Sequence, residues 1–399
     1  MTLSQRHRRW IGGVGPRSKI ATFVLALLML VVATQLQAQT FTVLQAFDLQ
    51  GYLLSGVTMD AQGNLYGATA GVVYKLTRRG SGWIYSELYT HGFLMSARPL
   101  IGADGSLYLT DAEGGAQNAG MVFNLRPPAA FCHAVDCPWE ATVLHKFDGG
   151  ADGNFPTTIT FDSAGNIYGT TVEGGAGVGV VYKLTPDQGS WTFTVVTDFF
   201  GSGVANPGNG VVLDKNGNLF GTTLSWPGQV FEVTNSGDAQ LIYQFSCCQN
   251  GIDTYSGLTF DSQGNLYGTT AFEGPAGNGG TVYELSPSNG RWTLNTLQGF
   301  PGAIPQDGVI GTANLLMDAQ GNLYGTSTWG GNAGQGLVFK LAPSANGWIY
   351  TDLHDFTGGD DGCYPWDGLA MDSSGNLYGT AFSCGKYGQY GGTVWEITP

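Results

Sequence analysis

The sequence predicts an all-β fold, a seven-bladed β-propeller of four-stranded blades whose ring closes when the N-terminal strand joins the last blade. Three observations predict it. One motif recurs seven times, its copies stand 42 to 60 residues apart, and the last unit stops a strand short while the N-terminal segment holds a spare strand. Repeats of that period match a four-stranded blade and exceed the small helical or leucine-rich units.

The motif is a turn followed by a strand. It reads Asp60-Ala-Gln-Gly63-Asn64-Leu65-Tyr66-Gly67 in unit 1, and its glycine recurs as Gly105, Gly165, Gly217, Gly264, Gly321 and Gly375. Aspartate accepts backbone N–H bonds across a tight turn, and the glycine supplies the positive φ such turns require. The aspartates lack the spacing of a twelve-residue calcium loop, so they are read as turn residues. Unit 5 shows the strands: Leu258–Phe260, Asn265–Thr270, Gly280–Leu285 and Trp292–Leu297. Alternating apolar and polar positions, rich in Val, Thr, Tyr and Trp, mark them as β.

The ends supply the closure. The chain finishes at Gly392-Thr-Val-Trp-Glu-Ile-Thr-Pro399, a third strand. Thr40–Phe47 matches the fourth strands Thr142–Phe147 and Tyr350–Phe356. Pairing them removes the open edges that a linear stack would expose. The tyrosines after the turn (Tyr66, Tyr108, Tyr168, Tyr267, Tyr324, Tyr378, with Phe220 in unit 4) and Trp83, Trp191, Trp292 and Trp348 keep one register. They are read as packing between blades, and the glycines after the tyrosines as room for close sheet contact near the axis.

Composition agrees. The 64 glycines have no three-residue period and prolines number only 16, which excludes collagen. Hydrophobic residues at 42% exclude general disorder. Residues 1–38 read as a secretory signal: five basic residues from Arg6 to Lys19 precede an apolar run from Ile20 to Ala33, with a cut expected after Ala38. Residues 39–399 then form a single propeller domain holding 11 basic and 30 acidic groups. Such a field repels nucleic acid and anionic lipid. The expected compartment is extracytoplasmic, secreted or periplasmic, with no membrane insertion after cleavage and a monomeric state.

The composite pattern Asp-x-x-Gly-Asn-Leu-Tyr-Gly-Thr-Thr, then Glu-Gly-Gly, then Gly-x-Val-Tyr-Lys-Leu-Thr-Pro, then Trp-Thr-x-x-x-Leu-x-x-Phe resembles the GloVer-type (Gloeobacter/Verrucomicrobia-type) bacterial tandem-repeat family. The resemblance spans residues 40–399 and implies an exported protein, with no activity to carry over. Unit 2 departs most, with Gly102 for the turn aspartate and Leu109 for the glycine after the tyrosine. Unit 4 lacks the Glu-Gly-Gly and the tryptophan. No sorting tail follows Pro399, so a free protein is expected rather than a surface-anchored one.

In a propeller the loops joining strands 1–2 and 3–4 share one face, called here the turn face. Those joining strands 2–3 and successive blades share the other, the long-loop face, and long loops on a rigid scaffold are where binding is expected. That face receives Glu113, Asp148, Asp152, Glu173, Glu273, Asp307 and Asp361, with Trp226, Phe272, Trp329, Tyr364 and Trp366. Aromatic rings stack on sugar faces while carboxylates accept hydroxyl or ammonium protons. The competing reading is that these acids accept local N–H bonds and the aromatics pack between blades.

The cysteines are expected to pair as Cys363–Cys384, Cys132–Cys137 and a vicinal Cys247–Cys248, the last standing where other units carry Gly-Gly. Six cysteines allow 15 pairings, so exchanged partners stay open, as does a thiol metal site. His145 and His354 occupy matching fourth-strand positions and read as scaffold. No nucleophile elbow, zinc motif, Walker loop or dinucleotide fingerprint occurs, and no cofactor or metal is expected. The expected function is a non-catalytic extracytoplasmic scaffold that binds carbohydrate through the long-loop face. Two alternatives stand beside it: a glycoside hydrolase or lyase using paired loop carboxylates, and a structural cell-envelope protein that binds another protein.

Overall fold

The computed structural model describes residues 39–48, 55–69, 71–90, 97–115, 117–128, 139–246, 250–302 and 314–399. The signal segment 1–38, Asp307, and the expected pairs Cys132–Cys137 and Cys247–Cys248 lie outside the described residues. Among those described, seven antiparallel sheets of four strands succeed one another along the chain. Blades 1 to 6 occupy residues 58–90, 100–146, 154–198, 207–244, 259–299 and 316–355. Blade 7 combines Ala370–Met371, Leu377–Ala381 and Gly391–Thr398 with Thr40–Asp48, which takes the outer position of that sheet.

The turns form as their residue types dictate. In blade 3, Asp162 Oδ1 accepts from the backbone N–H groups of Ala164 and Asn166, both at 2.9 Å, and Oδ2 accepts from Asn166 Nδ2 at 2.6 Å. Gly165 sits at φ 83°, beyond the easy reach of a side-chain-bearing residue. Blade 2, which lacks the aspartate, reaches the same turn through Asp104, whose carboxylate accepts from Ser106 N at 3.0 Å and Oγ at 2.9 Å.

The apolar core lies between blades. Seven clusters each join two neighbours, and one of them packs Phe47, Tyr378 and Val394 of blade 7 on Leu65, Tyr74 and Leu76 of blade 1, closing the ring. The repeated tryptophans meet the tyrosine or phenylalanine of the preceding blade edge to face: Trp83 on Tyr378 at 5.9 Å, Trp191 on Tyr108 at 5.8 Å, Trp292 on Phe220 at 5.7 Å and Trp348 on Tyr267 at 6.2 Å. Such pairs add to the area they bury.

The glycines after the tyrosines need a correction. They pair across strands, within their own blade, with the aromatic residue of the third strand: Gly67 with Tyr74, Gly169 with Tyr182, Gly221 with Phe231, Gly268 with Tyr283, Gly325 with Phe339 and Gly379 with Trp395. A Cβ on Gly169 would stand 2.4 Å from the Tyr182 hydroxyl. The glycine makes room for a ring in the same sheet; closeness to the axis is not the reason.

Candidate functional site

The innermost strands of all seven blades surround an axial channel of about 400 Å³, lined by residues such as Thr58, Leu100, Thr160, Val212, Thr259 and Ala370. First strands begin on the long-loop face, so residues just ahead of them, or among their first few, form the channel mouth there. Arg98, Asn209, Asn314, Trp366 and Asp367 line this mouth, a space of about 90 Å³. Several of these polar groups tie neighbouring blades together. Asp367 accepts from Gly56 N at 2.7 Å and Asn314 from Gly257 N at 2.7 Å. Arg98 is the one charged side chain along the channel wall among the described residues, and it reaches the Leu369 carbonyl at 3.4 Å.

The long-loop face carries a set of exposed aromatic side chains, of which Trp366 lines the mouth. Phe200 is 74% exposed, Trp226 70%, Tyr390 55%, Tyr387 46% and Trp366 42%. Phe200 and Trp226 belong to the loops of blade 4, and the other three to those of blade 7. The remaining large exposed apolar residues are the aliphatic Ile84, Val143, Leu241 and Ile349 of outer strands. Among the described residues, then, every exposed large aromatic side chain lies on the long-loop face.

The residues expected from the sequence separate into two kinds. Trp329 and Tyr364 meet with ring centroids 4.4 Å apart, and Trp366 follows two residues on. The disulfide Cys363–Cys384 joins their loop to the 3₁₀ segment Gly385–Tyr390 that bears Tyr387 and Tyr390. Blades 6 and 7 therefore bring five aromatic side chains into adjoining loops. Phe272 is half-buried beside Glu273 in a blade 5 loop.

The acids are mostly engaged within their own loops. Asp152 stands 3.0 Å from His145 Nε2 and accepts from Asp148 N at 3.1 Å. Burial, together with the neighbouring Asp148 carboxyl, pushes the Asp152 carboxyl above its ordinary value. Asp361 repeats the arrangement with His354 at 3.2 Å and Thr357 N at 2.8 Å. His145 stacks on Phe193 at 3.7 Å and His354 on Phe41 at 3.8 Å, so both imidazoles are scaffold parts. Asp148 accepts from Gly150 N at 2.7 Å. Glu113 and Glu173 are exposed in separate blades, Glu173 taking a 3.5 Å bond from Asn154. Glu273 sits at φ 52°, and its charge, after burial, holds the Asp253 carboxyl above the usual carboxylate range.

Sequence reasoning missed Arg98, Asn209, Asn314, Asp367 and Asp253. The signal lay in the residues ahead of each first strand, which change from blade to blade while their neighbours repeat. Among the described residues no group of three or more His, Cys, Asp or Glu stands close enough to hold a metal ion. Nor is any helix there long and apolar enough to cross a membrane.

A family model described as the Gloeobacter/Verrucomicrobia repeat matches residues 95–317. No curated protein matches the chain. Among solved structures, virginiamycin B lyase from Staphylococcus aureus is 15% identical, with TM-score 0.59, covering 90% of this chain and 99% of that one. The extracellular domain of a hybrid two-component system from B. thetaiotaomicron is 14% identical, with TM-score 0.56, covering 90% of this chain and 41% of that one. The WD40 propeller domain of Doa1 is 10% identical, with TM-score 0.54, covering 89% and 96%. At these identities the likeness is one of fold alone.

Proposed function

The chain belongs to the Gloeobacter/Verrucomicrobia repeat family, and from that premise we propose that it is a non-catalytic extracytoplasmic scaffold that binds carbohydrate through the long-loop face. One observation carries the reading: the large exposed aromatic side chains, Phe200, Trp226, Trp366, Tyr387 and Tyr390, gather on that face and leave the turn face bare among the described residues. Flat rings beside carboxylates and amides suit a ligand with apolar ring faces and hydroxyl edges. Engagement of Asp152 and Asp361 by their own loops gives the face rigid carboxylates in place of mobile ones. An oxidising compartment accords with the disulfide Cys363–Cys384.

A hydrolase or lyase is the second reading, and Asp253 favours it. Burial, and after it the Glu273 charge, holds its carboxyl above the ordinary value, as a general acid requires. A glycan and polysaccharide binding screen on the purified protein, with product analysis on every hit, tests both. Saturable binding without products supports the scaffold. Turnover supports the enzyme, and no glycan binding at all replaces both with the protein-partner reading.

A further inference from the structure

We infer that the slot between blades 4 and 5 on the turn face binds a small organic cation, an alkylammonium group. This site lies on the opposite face from the carbohydrate reading and stands independently of it.

The inference starts from a residue that changes kind around the ring. On each third strand, one position pairs with the repeated tyrosine or phenylalanine; in blade 2 it holds the fully buried Asn124 opposite Tyr108. It holds Lys75 opposite Tyr66, Lys183 opposite Tyr168 and Lys340 opposite Tyr324. It holds Glu232 opposite Phe220, Glu284 opposite Tyr267 and Glu396 opposite Tyr378. In the three lysine blades the ammonium nitrogen stands 5.1, 5.4 and 5.4 Å from the ring centroid. Those distances fall within reach of a cation–π interaction. The chain thus fills this place with its own ammonium group in blades 1, 3 and 6.

Two of the glutamate blades satisfy the carboxylate internally. Tyr267 donates its hydroxyl to Glu284 at 2.8 Å, and Tyr378 donates to Glu396 at 2.8 Å. Blade 4 has no such donor, because Phe220 replaces the tyrosine. Glu232 Oε2 accepts from Gln240 at 2.7 Å, and among the described residues Oε1 has no hydrogen bond. Blade 4 therefore combines a carboxylate, an aromatic ring and no internal ammonium.

The space matches the chemistry. The slot measures about 470 Å³; half-buried Phe260 and Trp292 wall it, and Phe220, 3% exposed, lies beneath them. Phe260 and Trp292 meet Phe220 edge to face at 5.3 and 5.7 Å, so the walls form one aromatic corner. Asp214 and Asp261 border it as well. Their oxygens are taken up by their own turns, so they add negative potential while Glu232 supplies the free acceptor. Lys215, exposed at the rim, is the one basic residue there. The strongly acidic balance of the protein also draws cations toward the slot.

Calorimetric titration of the full-length protein with choline, with Nα-acetyl-lysine methylamide and with the neutral choline isostere 3,3-dimethylbutanol tests the assignment. At least one cation should bind saturably, the two arms telling a quaternary ammonium from a lysine side chain, with the neutral isostere about tenfold weaker. Glu232→Gln should weaken the cation about tenfold. Glu232→Lys, which recreates the pairing of blades 1, 3 and 6, should abolish binding with the thermal midpoint retained. Lys215→Ala should leave binding intact or tighten it. The inference is overturned by no saturable cation binding, by equal binding of the neutral isostere, by both Glu232 variants behaving as the parent, or by loss of binding in Lys215→Ala.

Discussion

Tyr74, Tyr182 and Tyr283 should each become more stabilising when replaced by phenylalanine. Their side chains are fully buried, and among the described residues their hydroxyls have no hydrogen-bond partner. Each hydroxyl rests over a glycine of the neighbouring strand, and Phe231 and Phe339 fill the equivalent places in blades 4 and 6. A buried donor left unpaired costs about 1–3 kcal/mol. Removing one oxygen forfeits a few contacts worth about 0.1–0.2 kcal/mol each. The net expectation is about 1–2 kcal/mol of added stability per site. The three sites lie in different blades and share no partner, so the triple variant should gain about 3–6 kcal/mol. Thermal and urea midpoints measured side by side report this, with Tyr267→Phe as the contrast. Tyr267 donates to Glu284 at 2.8 Å, so its replacement should cost about 1–3 kcal/mol. If Tyr182→Phe lowers both midpoints as Tyr267→Phe does, the hydroxyl is hydrogen-bonded and the reasoning fails.

Other outcomes follow from the same geometry. Gly169→Ala should destabilise by about 1–3 kcal/mol through overpacking, since its Cβ would meet the Tyr182 ring; an unchanged urea midpoint would contradict the role given to that glycine. The double replacement Cys363→Ala with Cys384→Ala should cost about 3 kcal/mol, the closure entropy of a loop with sequence separation 21. Differential scanning calorimetry under oxidising conditions measures that loss. In Asp60, Asp162 and Asp318 burial raises the carboxyl pKa, but bonds from Asn64, Asn166 and Asn322 outweigh it and lower the net value. Their stabilisation is present above the unfolded value of 3.8 and is lost as pH falls through the folded values, so Asp162→Ala should cost more at pH 7 than at pH 2. Asp111 runs the other way: 1% exposed, with burial raising its carboxyl, it favours folding below 3.8 and opposes it as pH rises through the folded value. Asp111→Asn should therefore raise the thermal midpoint at pH 8 and change it little near pH 3. Trp366→Ala and Trp226→Ala should each weaken glycan binding about tenfold while leaving the thermal midpoint in place, as expected of exposed stacking platforms.

The repeating features could be read from the chain alone because their causes are local. Asp162, Gly165 and Asn166 form their turn within five residues, and every blade but the second restates those residue types. The count of blades and the closing strand followed from that repetition, from a last unit one strand short and from the spare N-terminal strand. His145 and His354 were recognisable as scaffold by matching position, and the Cys363–Cys384 pair by the adjacency of two loops. Legibility ended where neighbours come from distant sequence. The glycine after each tyrosine was visible, but the ring it admits sits on another strand. Arg98 and Asp367 meet at the channel mouth from opposite ends of the chain, and no local pattern links them.

By itself the sequence determined a closed ring of seven four-stranded blades, because turn chemistry and strand alternation act over a few residues and recur. Tertiary structure alone decided which carboxylates are engaged, which aromatic rings face outward, and that the Glu232 carboxylate borders a slot between two blades. Those properties depend on what stands opposite each side chain across strands and blades, and such contacts are set by the packed assembly.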